Sequence, residues 1–261
     1  MTDVLNLPRP AWMSEDVVLL EETARRFISA EYGPHLEKWR EDHFYPREVW
    51  TKAGAAGLLC ASMPEEYGGA GGTFAHEAVI DRQCSLAGFD AFGAPLHSGI
   101  VAPYILHYGT EEGQGFYQLM KELPQERLIV SVNAVAMMER ALALTIDYVK
   151  QRDAFGKKVI DFQNTQFVLA ECKSEATIAR VFLDHCIERH VKGELDTVTA
   201  SMAKYWHTDL VGKIVDRCLQ LFGGYGYMDE YPISRMYRDA RVMRIYAGTN
   251  EIMKLLIARS L

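Results

Sequence analysis

Apolar positions recur along this chain at the three-to-four-residue spacing of helices that bury one face, and nowhere alternate over several successive strands. Three long stripes dominate the C-terminal half. From Pro124, a residue suited to the first helical position, one runs through Leu128, Val132, Val135, Met138, Leu142, Ile146 and Val149, about seven turns. A second carries Leu169, Cys172, Ala176, Ala179, Leu183, Cys186 and His190, and a third, from about Thr197 to Leu221, carries Ala203, Trp206, Leu210, Ile214, Cys218 and Leu221. Long amphipathic helices joined by short loops predict an antiparallel bundle, with a fourth helix from the terminal segment.

The N-terminal third predicts a smaller helical domain. Ser14 is placed to cap a helix with Val17, Leu20, Ala24, Phe27 and Ile28 on one face, and Pro34 ends or kinks it. Pro46 opens the next, with Val49, Trp50 and Ala53. The stretch Pro64 to Gly72, PEEYGGAGG, is too rich in glycine for helix or strand and reads as a loop, either of special conformation or a flexible linker. Two further helices follow, around Ala78 to Leu86 and from Leu96 to Tyr108, before the polar junction GTEEGQ. The fold class is therefore all-α.

Composition narrows the function classes. A net charge of −7 with 24% charged residues argues against a nucleic-acid binder. No uninterrupted apolar run approaches the roughly 20 residues of a membrane span, so the cytoplasm is expected, or an organelle if a leader was removed. Cys60, Cys84, Cys172, Cys186 and Cys218 are scattered, with no ligand spacing, so reduced core residues and no metal site are expected. No GxGxxG follows a strand, which excludes a Rossmann site.

The last forty residues hold most of the chemical detail. Gly223, Gly224 and Gly226, with Tyr225 and Tyr227 between them, suit a sharp turn or a close backbone approach. Ala247-Gly248-Thr249-Asn250-Glu251 opens a terminal helix whose first N–H groups can face an anion. Each loop alone also fits an ordinary helix stop.

Taken together, PEEYGGAGG, the junction Tyr108-Gly109-Thr110-Glu111, LPQERL (123–128), QRDAFGKKV (151–159), FQNTQ, QLFGGYGY and YAGTNEIMK resemble the acyl-CoA dehydrogenases, in the same order along the chain, most closely members acting on long-chain or branched thioesters. The resemblance implies FAD, an acyl-CoA substrate oxidised to the trans-2-enoyl-CoA, electron-transfer flavoprotein or a similar acceptor, and a homo-oligomer, dimer or tetramer. It implies flavin contacts at Arg152, Gln163, Gln220, Leu221, Phe222, Gly223, Gly224, Thr249, Asn250 and Glu251, with Arg152 serving a neighbouring subunit's pyrophosphate. A guanidinium fork suits that task. It further implies substrate contacts at Tyr117, Arg127 and Gly248.

Many members carry the base as glutamate in YEGT, where this chain has Ala247. The resemblance then implies the alternative base, Glu126, expected in the first turn of its helix, where the dipole would lower its pKa and a bound acyl chain would raise it. A larger departure lies at the junction. The family places a β-rich domain of about a hundred residues, ordinary domain size, between its helical parts, and here residues 1–111 run straight into 112–261. Two outcomes are open: a shortened dehydrogenase, or an inactive all-helical oligomer or binding module.

Overall fold

Some helices in this protein begin where a side chain satisfies orphan N–H groups and some end where the chain turns left-handed, but Ser14, expected to cap Glu15–Phe27, makes no side-chain capping bond. Thr73 accepts from Ala75 N–H to open Phe74–Ala87, and Gly88 closes it at φ +82°. Asp196 accepts from Thr199 N–H at 2.8 Å to open Thr197–Phe222. A computed structural model describes residues 3–89, 92–109 and 115–261, with side chains in the last span from 122 onward. The proposed boundary at 111/112 lies outside the described residues.

The N-terminal part comprises α1 (Glu15–Phe27), continuing into a π-helical turn, then α2 (Leu36–Asp42), α3 (Arg47–Ala55) and α4 (Phe74–Ala87). A π-helical stretch, Pro95–Val101, leads into α5 (Ala102–Tyr108). Its own core gathers Tyr32, Trp39, Phe89 and Phe92, with Tyr32 within 6.1 Å, ring to ring, of the other three. The glycine-rich loop is folded and not a linker. A Cβ at Gly69 would stand 2.1 Å from the Met63 carbonyl oxygen, and Gly71 N–H donates to that same oxygen.

The C-terminal part comprises α6 (Gly115–Gln151), α7 (Gln163–Val191), α8 (Thr197–Phe222), α9 (Pro232–Val242) and α10 (Asn250–Ala258). The three expected stripes bury as the bundle core, although Ile146, His190, Trp206 and Leu221 are only partly covered. The terminal segment supplies two short helices where one was expected. Between α6 and α7 the loop expectation is refined: β1 (Asp153–Ala154) pairs antiparallel with β2 (Lys157–Lys158) across Phe155 and Gly156, both at positive φ, as a two-residue hairpin turn requires.

One expectation for α6 needs correction. Pro124 lies inside the helix and not at its start. Neighbours hold both sides of the interruption: Glu122 Oε1 accepts from Tyr108 Oη at 3.2 Å and lies 2.8 Å from His107 Nδ1, while Gln125 Nε2 donates to Gly99 O at 2.7 Å. By length and composition Glu122–Gln151 would also suit a membrane crossing, because scattered polar residues do not outweigh its apolar ones. However, 78% of its most apolar window is buried in the bundle, as befits a core helix.

A buried ionic chain joins the two parts. Glu139 on α6 accepts from Arg82 Nη2 of α4 at 2.7 Å and from Arg180 Nη1 of α7 at 3.1 Å. Arg82 also reaches Glu21 of α1, and Arg180 reaches Asp184, which accepts from Trp12 Nε1.

Candidate functional site at the two ends of the bundle

The candidate residues fall into two groups at opposite ends of α6. The first surrounds Glu126. The carboxylate is half-buried, and burial raises its pKa above the ordinary glutamate range, with Tyr104 and Arg127 opposing the rise. Tyr104 Oη lies 3.5 Å away, the outer limit of a hydrogen bond, and burial first, then the nearby carboxylates, push that phenol up to about 12. Because α6 begins at Gly115, Glu126 stands about three turns inside it. The expected influence of a helix N-terminus is therefore absent, and burial dominates.

Arg127 is 2% exposed; its Nη1 donates to Ser201 Oγ at 3.3 Å, and its Nε has no hydrogen-bond partner among the described residues. One turn along α8 from Ser201, Lys204 Nζ donates to Gly248 O at 2.7 Å and to Asn250 Oδ1 at 2.9 Å. Thus Glu126, Arg127 and the Gly248 loop meet through the first turns of α8. Within that loop Ala247 and Gly248 both adopt positive φ, 54° and 86°. Thr249 Oγ1 caps α10, accepting from Ile252 N–H at 3.4 Å.

Asn250, expected at the flavin, is 2% exposed, and its side chain bonds Lys204, Tyr205, Thr208 and Asp209 on α8. Its backbone N–H donates to Arg244 O at 3.1 Å, so neither side chain nor amide is left for a ligand. Glu251 is exposed on the first turn of α10. Tyr117 lies in the part of α6 whose side chains are outside the described residues.

The second group gathers roughly 38 Å away, at 1.5 Å per residue along α6. Arg152 is exposed, makes no ion pair among the described residues, and holds its guanidinium 5.2 Å from the centre of the Tyr225 ring. Tyr225 stacks on Tyr231, and Phe222 stacks on Tyr148 at 4.1 Å while its carbonyl accepts from Tyr148 Oη. Gln163 is the exposed first residue of α7, where backbone N–H groups lack helical partners. Gln220 is exposed and Leu221 half-buried; a Cβ on Gly223 or Gly224 would meet nothing within 4 Å. Gly226, by contrast, is packed against the Leu219 carbonyl.

These features fit the phosphate and adenosine parts of a flavin dinucleotide: an uncommitted guanidinium, a helix N-terminus and open glycine backbone. The Thr249 group fits a contact at a different part of such a molecule. Along α8, Lys204 beside the Thr249 loop and Phe222 at the second group stand about 27 Å apart at 1.5 Å per residue. A groove of about 910 Å³ lies elsewhere, between α1, α4 and the N-terminal arm, and no candidate residue lines it. Among the described residues no cluster could hold a metal ion.

Sequence reasoning missed Tyr104, Lys204 and His207. Lys204 and His207 fall on the buried stripe of α8 among Ala200, Ala203 and Val211, so a charged or titratable residue in a core register was the available signal. Tyr104 carried no such mark.

Comparison with known proteins agrees with the motif-based expectation. The acyl-CoA dehydrogenase C-terminal domain matches residues 113–261 and the acyl-CoA dehydrogenase N-terminal domain matches 14–117, leaving no interval between them. The mitochondrial long-chain specific acyl-CoA dehydrogenase of Mus musculus is 31% identical, covering 93% of this chain and 86% of the relative. That alignment runs over 368 residues against a chain of 261, so more than a hundred positions of the relative have no counterpart here. Among solved structures, the acyl-CoA dehydrogenase of Geobacillus kaustophilus superposes with a TM-score of 0.93 at 30% identity, over 97% of this chain and 99% of that one. The enzyme of Bacillus anthracis complexed with FAD superposes at 0.88 and 21% identity, over all of this chain and 68% of that one. Both helical parts, their order along the chain and the buried carboxylate end thus have one explanation: the chain belongs to the acyl-CoA dehydrogenase family.

Proposed function

We propose that this protein is a shortened FAD-dependent acyl-CoA dehydrogenase in which Glu126 takes the α-proton of an acyl-CoA thioester. The observation that carries the reading is the half-buried Glu126 carboxylate, its proton affinity raised by burial, beside buried Arg127 and the Gly248 loop. A base for a weakly acidic C–H works best when it is desolvated yet still ionised at working pH. Glu126 Oε would accept the α-proton, and Arg127 would hold that carboxylate's charge during substrate entry. Gly248 and Tyr117 would line the acyl side. The chemistry that FAD supplies when bound is acceptance of a hydride from the β-carbon, completing the α,β double bond.

We assign residues 1–111 and 112–261 as the two domains, with Thr249 and Glu251 toward one flavin. Arg152, Gln163 and the Gln220–Gly224 turn would serve that of a second subunit. Electron-transfer flavoprotein or a similar acceptor would reoxidise it, and the cytoplasm is the compartment that unbridged cysteines suit.

The test is the visible spectrum. Purified protein supplied with FAD should retain a yellow chromophore that anaerobic acyl-CoA bleaches. Absence of flavin absorbance ends the reading, and flavin without bleaching by any chain length reduces it to flavin binding.

The positions without a counterpart favour a second reading, an inactive helical oligomer, since their loss removes cover from a site that works best dry. Light scattering and denaturant unfolding separate the two. A monomer, or a species without cooperative unfolding, excludes the scaffold.

A further inference from the structure

Lys204 is fully buried, yet neither bond it makes is to a carboxylate. Burial, then neighbouring Arg127, lowers its pKa to about 8, so its position costs stability that a core leucine would not. What that ammonium does is geometric. It grips the Gly248 carbonyl and Asn250 Oδ1 together, tying both ends of the Gly248–Thr249 peptide to α8. In a trans peptide the C=O and the following N–H point in opposite directions. With the Gly248 carbonyl held inward, the Thr249 N–H is aimed away from α8, and no residue among those described accepts from it. The consecutive left-handed residues Ala247 and Gly248 give the loop the turn that this orientation needs.

We infer that Lys204 is a positioning residue: its inward grip on Gly248 and Asn250 presents the Thr249 N–H as a fixed donor for an acceptor on the bound flavin or thioester. The inference rests on reading this loop as flavin-facing, and it deepens that reading by naming what holds the loop.

The experiment compares wild type, Lys204→Met and Lys204→Gln in the full chain, by hydrogen exchange over residues 246–253 and by FAD titration followed through flavin fluorescence. Loss of a charged hydrogen-bond donor is expected to speed exchange at the Asn250, Ile252 and Met253 amides about tenfold. Exchange in α6 and α7 should be unchanged, and FAD affinity should fall by a similar factor. The glutamine, which keeps a shorter donor, should recover part of both. Folded Lys204→Met with wild-type exchange in this segment overturns the inference.

If the methionine variant does not fold, wild type decides. Arg127 of α6, Asp209 of α8 and Glu251 of α10 are the charges facing Lys204. Protection of 246–253, corrected for intrinsic rates, should then fall between pH 7 and pH 9 (about a unit either side of the lysine's titration) while that of α6 holds. Flat protection across that range overturns the inference. If wild type binds no FAD, the flavin reading fails and exchange alone judges Lys204. If wild type and a folded methionine variant bind FAD equally, the inference fails and the flavin reading stands.

Discussion

A carboxylate that must accept a proton from carbon has to be ionised where ionisation is disfavoured, and Glu126 meets that condition through burial. Turnover should therefore rise with pH along an acid limb whose pKa lies above the ordinary glutamate range. Glu126→Gln should remove at least about 100-fold in flavin reduction rate by stopped-flow absorbance, with FAD binding unchanged. The same shift has a stability consequence. A carboxyl that binds its proton more tightly when folded makes the folded state relatively more stable as pH falls through its window. His207 acts with the opposite sign. Burial lowers its pKa to about 3, its Nε2–H donates to Ala179 O, and its Nδ1 has no partner among the described residues. Because the unfolded chain binds this proton first, His207 should cost stability as pH falls from about 6.5 toward 3. Urea midpoints at pH 7 and 5 should fall less for His207→Gln than for wild type. The motifs exposed the main candidates before any coordinates did, since Glu126, Arg152 and Thr249 all lie in short, ordered sequence signatures. Lys204 and Asn250 were misjudged or unseen because burial depends on partners 40 or more residues away, which local spacing does not encode.

At the level of elements, helix existence was legible from apolar period and ends were not. Pro124 marked a plausible start, but contacts from α5 and the π-helical turn carry α6 through it. The Pro64–Gly72 loop was legible as non-helical, while its packing was hidden, because the contact that demands glycine at 69 is with a carbonyl six residues back. Gly69→Ala should therefore lower stability by about 2 kcal/mol or more in chemical denaturation, against near-neutrality for a true linker. Between elements, Glu139 is shared by arginines of α4 and α7. Glu139→Gln should cost about 1–3 kcal/mol, since Arg82 and Arg180 each lose one of two carboxylate partners and keep only Glu21 and Asp184. If the two parts unfolded independently, the C-terminal transition, whose part holds both Glu139 and Arg180, would shift alone; a single shifted transition shows that the ionic chain couples them.

For the whole molecule, the all-α architecture was readable because both parts bury continuous helical faces, and the missing intervening segment was readable as an abrupt junction of two motif sets. Its effect on shape was not, since no local pattern records which surfaces a lost domain once covered. The roughly 38 Å between the Glu126 end and the Arg152 end has a kinetic meaning. If both ends serve flavin, every complete site is made from two chains, so cofactor retention becomes a second-order property of protein concentration. Diluting the protein below its subunit dissociation constant should release FAD in step with dissociation, with a midpoint that moves with protein and not with a fixed cofactor affinity. Equal mixing of Glu126→Gln with Arg152→Ala should then regenerate sites intact in both groups, about one in four by random pairing. An activity that stays constant per chain at every dilution would place a whole site on one chain.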